Sequence, residues 1–262
     1  MTPRLRAAAP LMALALTLAP ARAENAPADP TNTLPAPRAQ EVPTAKEGES
    51  GHRYPVTVKS TLKATDANAE GEEAPKPLTM DLLGLAIREK YFIAVNVYSY
   101  VIYMDRDSIK GNLARWKGVS AKAAGKDDAL FKKLLTQGGT KELRMRFCRN
   151  VDAEDIVDAF EDSLKPRILK LRKAEAATGA KKLENLNKFR KFFSLDKLKK
   201  GNELRFTWHP DGTLSTVVNG ERKPDLMAPA LCKALFDVYL GSDPISKSGK
   251  KKLVKRLPDL LK

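Results

Sequence analysis

The sequence has 262 residues, 47 Lys and Arg against 32 Asp and Glu, and only two Cys and two His. At ~100–200 residues per domain this is one large domain with tails or two small ones, and 42% hydrophobic residues supply a core, which excludes disorder throughout. The Cys and His lack finger spacing, a disulfide-stapled miniprotein is excluded, and no phosphate-binding loop, dinucleotide fingerprint or metalloprotease helix motif occurs, so no metal or cofactor is expected.

Residues 1–23 have the plan of a signal peptide: Arg4 and Arg6, an apolar stretch over 7–20, and the small-x-small site Ala21-Arg22-Ala23. The stretch is interrupted by Pro10 and is shorter than the ~20 residues that span a bilayer. Cleavage after Ala23 is expected, into a periplasm or other exported compartment. Loss of Arg4, Arg6 and Arg22 lowers the net charge from +15 to +12. Export gives Cys148 and Cys232 two readings, a disulfide closing a long loop or buried free thiols.

Residues 24–52, with Pro27, Pro30, Pro35, Pro37 and Pro43, have no periodicity and read as a disordered linker, which starts the folded domain at Arg53. Tyr54–Ser60 has strand composition, and the acidic stretch Asp66–Pro77 reads as a loop. From Leu82 to Met104 the chain is its most apolar, rich in Tyr, Val and Ile on both parities, which predicts a central strand covered on both faces. Helices are expected over Asp107–Lys117 and Asp127–Thr136, then a half-exposed strand over Leu143–Arg149 and a helix from Asp152 that puts Ile156, Val157, Phe160 and Leu164 on one face. The stretch Ser163–Lys200 is basic with apolar spacing. Asn202–Trp208, His209-Pro-Asp-Gly212 and Thr213–Val218 make a hairpin, and an amphipathic helix over Leu226–Leu240 and a basic one over Ser248–Leu257 close the chain. This order is α+β.

Gly84-Leu-Ala-Ile-Arg88, followed by Val97-Tyr98-Ser-Tyr-Val-Ile-Tyr103, resembles the chalcone isomerase-like family, whose members have a Gly-x-Gly-x-Arg turn before an apolar strand; Ala86 stands at the second glycine. Leu143–Arg149 with Asp152–Phe160 adds support. Thr207-Trp-His-Pro210, Val218-Asn-Gly220 and Leu235–Ser246 are the more specific part of the resemblance, which spans Arg53 to Leu257. It implies an open-faced β-sandwich, a curved antiparallel sheet with helices packed on one face. A cleft between them holds a flavonoid in the true isomerases and a fatty acid in the binding relatives, with the arginine orienting an anionic oxygen.

Arg88 is therefore the expected anchor of an acidic head group, with Tyr98 as a further donor. Their spacing of ten residues puts them on one face of a continuous strand, together with Asn96 and Tyr100, although an intervening turn removes that argument. Arg88 beside Glu89 and Lys90 also fits a surface ion-pair cluster, and Tyr98 a core tyrosine. Where the true isomerases carry a strand Thr, a helix Tyr and Asn, and a C-terminal Thr or Ser, Tyr98, Asp152, Ala159 and Val238 register here. A binder of a fatty acid or aromatic acid is thus favoured over an intramolecular lyase acting on an enone. The basic runs Lys165–Lys200 and Lys247–Arg256 suit anionic lipid head groups, a protein partner or a solvated face, and nucleic acid is not an expected partner. His209, between Trp208 and Pro210, reads as a turn residue.

Overall fold

The computed structural model describes residues 42–61, 77–90, 95–171 and 179–262. The expected signal peptide and most of the expected linker lie outside these residues, as does most of the acidic loop.

Two strands at the start, β1 (Thr44–Lys46) and β2 (Arg53–Pro55), pair with each other. They are followed by β3 (Thr57–Thr61), β4 (Pro77–Lys90) and β5 (Val95–Asp105). Helices α1 (Arg106–Asn112), α2 (Ala121–Ala124) and α3 (Asp128–Thr136) lead into β6 (Lys141–Phe147) and β7 (Val151–Asp152). Then come α4 (Ala153–Lys170), α5 (Gly179–Arg190), β8 (Lys197–Leu198), β9 (Glu203–Trp208), β10 (Thr213–Val218), β11 (Glu221–Arg222) and β12 (Leu226–Met227). The chain ends in α6 (Pro229–Leu240), α7 (Lys247–Lys252) and α8 (Leu257–Leu260).

Eight strands form one curled antiparallel sheet in the order β11-β10-β9-β6-β5-β4-β3, with β12 also on β10. Alternation sorts its faces. Tyr98, Tyr100, Ile102 and Met104 of β5, Leu143, Met145 and Phe147 of β6, and Leu204 and Phe206 of β9 join a large core with Ile156, Phe160 and Leu164 of α4 and Leu231, Leu235 and Phe236 of α6. The intervening residues face the other way. The sequence expectation of a strand covered on both sides is met by β5, because Val101 and Tyr103 join Tyr54, Met80 and Leu82 in a second, smaller apolar cluster.

That second cluster corrects the expected start of the domain. Residues 44–55, read as linker up to 52, form a hairpin over the outer face of the sheet. Tyr54 donates or accepts a 2.7 Å hydrogen bond with the buried Ser99 Oγ, His52 Nδ1 meets the same oxygen at 2.7 Å, and Arg146 stacks over the Tyr54 ring. Inside the turn, Glu47 accepts from the backbone of Glu49 and Ser50 and from the Ser50 hydroxyl. Three strand residues around one tyrosine are too short for a periodic signal. The run Leu82–Met104 is likewise two antiparallel strands, not one.

One buried charge has a measurable consequence. Lys141 is almost fully buried, its Nζ donates to the Gln137 carbonyl at 2.7 Å at the end of α3, and it stands 4.3 Å over the Trp208 ring. Burial pulls its pKa down to about 8 from an ordinary 10.5. Between those values the unfolded chain keeps the proton and the folded chain has lost it, so the contribution of Lys141 to stability rises with pH. Urea unfolding of the parent and Lys141→Met across this interval is expected to show the difference moving in the parent's favour by about 3 kcal/mol. A difference independent of pH contradicts the assignment.

Candidate functional site

A cleft of about 430 Å³ opens between the inner face of the sheet and α4, within the ~300–1,000 Å³ typical of small-molecule sites. Arg88 of β4 and Val97 and Tyr98 of β5 form one wall, and Ile156 and Ala159 of α4 the other. Arg149, Asp152 and Asp155 form the lip, and Ile245, from the loop after α6, closes one side. Behind Tyr98 the cleft narrows to a slot of about 30 Å³ lined by Met145, Phe160, Leu235, Val238 and Tyr239. The arrangement is a polar mouth leading to an apolar end, which suits a molecule with an acidic head and a hydrocarbon body.

Arg88 and Tyr98 do share a face, for a different reason from the one expected. Arg88 lies on β4 and Tyr98 on the antiparallel strand β5, and the two residues are direct cross-strand partners. Arg88 Nη1 donates to the Ile245 carbonyl at 3.1 Å, and among the described residues no carboxylate lies within ion-pair distance of it. Its remaining donors are available to a ligand anion. The surface ion-pair reading therefore gives way to a cation held at the wall of a cleft.

The Tyr98 hydroxyl lies 3.3 Å from that of Tyr239, whose own hydroxyl reaches Met145 Sδ at 3.7 Å. Burial raises the pKa of Tyr98, with Arg88 opposing it, and burial raises that of Tyr239 as well. Both phenols are neutral donors at physiological pH. Tyr239 stood in the sequence only as part of the Leu235–Ser246 block of the resemblance, with no site role; its approach to Tyr98 from α6 reveals one.

The other two expected wall residues are corrected. A register shift between Arg88 and Glu89 inserts Val97 as an extra residue, so Asn96 pairs with Glu89 and leaves the lining to Val95, Val97 and Tyr98. The bulge resets the period-two alternation on which the expectation rested. Tyr100 keeps the inward parity but sits one layer behind the cleft, its ring 4.9 Å from that of Tyr239 and its hydroxyl against Ser246 at the start of α7. It supports the wall without lining it.

Cys148 and Cys232 are both free in the structure, Cys232 buried and Cys148 half-buried. Cys148 follows β6 on the outer side near Tyr54, whereas Cys232 lies in α6 within the inner core, its Sγ donating to the Gly212 carbonyl at 3.5 Å. The sheet separates them. Burial raises the pKa of both thiols, away from reactive thiolates.

Three positions set apart in the sequence, Asp152, Ala159 and Val238, all line the cleft or its slot. They bring a carboxylate engaged by Lys197 at 3.3 Å, a methyl group and an isopropyl group. None is a neutral hydrogen-bond donor.

Comparison with known proteins agrees with this geometry. The family model described as chalcone isomerase like matches residues 78–254, more than half of the sequence, and the chain belongs to that family. Among curated relatives it is similar to fatty-acid-binding protein 2 of Arabidopsis thaliana, 26% identical over 82% of this chain, and to fatty-acid-binding protein 1 of the same plant, 21% identical over 64%. The chain spans 51% and 61% of their respective lengths. Among solved structures, an Arabidopsis thaliana fatty-acid binding protein superposes with a TM-score of 0.63 at 18% identity, covering 84% of this chain and 99% of that one. The open-faced sheet with helices on one side is thus a fold shared with that structure.

Proposed function

We propose that this chain is a non-catalytic binder of a fatty acid or a similar amphiphilic anion, acting in an exported compartment. The observation that carries it is Arg88, a cation at the wall of an apolar-ended cleft with no carboxylate partner among the described residues. Bringing a carboxylate out of water requires such a fork of donors, and Tyr98 stands across from it. The hydrocarbon body lies along Val97, Ile156 and Ala159 and its end enters the slot at Val238, where ~0.8 kcal/mol per buried methylene favours retention. The lack of neutral donors at Asp152, Ala159 and Val238 supports binding over cyclisation of an enone.

The charged, apolar and small-x-small segments of residues 1–23 support export. The basic stretch that begins at Lys247 supports a peripheral approach to anionic head groups, the route by which such a ligand is exchanged. Expression of the full sequence in a Gram-negative host, isolation of the periplasm and native followed by denaturing mass spectrometry test both parts. A mass beginning at Glu24 with a releasable fatty-acid adduct is expected. A cytoplasmic, uncleaved product refutes export, and turnover of a chalcone by a protein free of lipid refutes the binder.

A further inference from the structure

The outer face of the sheet carries a second cleft that the inner site does not explain. It has a volume of about 210 Å³ and lies beside β3, against the outward residues of β6, β9 and β10. Four of its lining side chains are cations, Lys59, Arg144, Arg205 and Arg222, against one carboxylate, Glu142. Val217 is the single apolar side chain in the lining. This is the chemical opposite of the inner cleft and offers nothing to a hydrocarbon chain.

The cations are steered into place. Arg144 Nε is fixed by Glu142 Oε1, Arg205 Nε by Glu203 Oε1 at 2.9 Å, and one Nη of Arg222 by Asp225 Oδ2 at 3.0 Å. A guanidinium has five N–H donors in a rigid fork, so each keeps further donors after that contact. Glu142 in turn accepts from the Thr207 hydroxyl at 3.1 Å, which holds the carboxylate as scaffold.

The floor is hydroxyl-rich. Thr207 and Ser215 both line it, and Ser215 Oγ lies 2.8 Å from Nε2 of His209. His209 occupies the expected turn by its backbone, yet its ring is buried and its Nδ1 has no hydrogen-bond partner among the described residues. Burial lowers its pKa, which leaves the imidazole neutral at physiological pH. A buried polar atom without a partner is costly and is not what packing alone selects.

We propose that this outer cleft is a second ligand site, which takes a phosphate monoester carried on a hydroxylated body. The arginine forks meet the phosphate oxygens, and the hydroxyls of the body meet Glu142 and Ser215. The site acts separately from the inner cleft and does not rest on the fatty-acid reading.

Amide shifts of the full chain, followed during titration with glycerol 3-phosphate and with inorganic phosphate, test this. In parallel, flotation with phosphatidylcholine vesicles containing phosphatidic acid asks whether the phosphate is borne on a lipid. Saturable shifts are expected on β9 and β10 around Thr207 and Ser215, stronger with glycerol 3-phosphate than with phosphate alone. The double variant Arg205→Gln/Arg222→Gln, whose side chains are 41% and 51% exposed and outside the core, is expected to weaken binding by at least about tenfold. Arg88→Leu is expected to leave it unchanged. Flotation that the double variant abolishes, without binding of the free ester, assigns the phosphate to a lipid head group. No saturable response in either arm, shifts confined to α7 or the inner cleft, or equal affinity in parent and double variant overturns the proposal.

Discussion

Replacing Arg88 with Leu is expected to weaken palmitate binding by about 10–100-fold, read by calorimetric titration, while the protein stays folded. The magnitude follows from removing charge-assisted hydrogen bonds, each worth about 1.5–3 kcal/mol where the acceptor is an anion withdrawn from water. The fold survives because Arg88 contributes one hydrogen bond, to the Ile245 carbonyl, and stands outside the apolar core. Arg88→Lys keeps the charge but loses the fork, and is expected to fall between the two. Affinity unchanged in the Leu variant removes Arg88 from the site, whatever the ligand.

Gly84→Ala is expected to cost about 2–4 kcal/mol of stability, seen as a lower urea midpoint. The reason is space. A Cβ at Gly84 would lie 2.3 Å from the Lys252 carbonyl oxygen and 2.6 Å from the Leu253 backbone, atoms that no rotamer change can move aside. Here the end of α7 crosses β4 at a register shift between Leu82 and Gly84, and Arg256 ties the crossing down through its amide to the Leu83 carbonyl and its Nε to the Leu82 carbonyl. The same C-terminal stretch presses Gly249 against the Tyr100 hydroxyl and follows directly on Ile245, which closes the cleft. Displacing it therefore disturbs ligand binding as well as stability. An unaltered midpoint would mean that α7 is not seated on β4.

Gly84 also shows what the sequence could and could not convey. The Gly-x-Gly-x-Arg signature implies a turn, but in the structure it lies within β4, and the glycine serves the close approach of two backbones. Ala86 fits at the second glycine because that position is merely buried. Alternation and composition made β5, β6, the hairpin of β9 and β10 and the inner face of α4 legible, since each is long enough to show its period. The short β1 gave no such signal beside Pro43, and β2 was legible only as the start of the Tyr54–Ser60 strand, so the strap over the outer face went unread.

Within the site, Arg88 and Tyr98 were legible as residues but not as cross-strand partners. Asn96 was misplaced because a bulge at Val97 has no mark in composition. Tyr239 and the outer cleft were hidden for a more general reason: they arise where α6 meets β5 and where five strands present one face. Residue type and spacing along the chain do not report such long-range meetings.

The most direct test of the account is a crystal structure of the protein with palmitate. The carboxylate is expected within hydrogen-bonding distance of Arg88, with Tyr98 beside it, the chain running along Ile156 and Ala159 and its methyl end displacing side chains around Val238 to widen the slot. A fatty acid lodged elsewhere, or one lying in this cleft with its carboxylate turned away from Arg88, would contradict it.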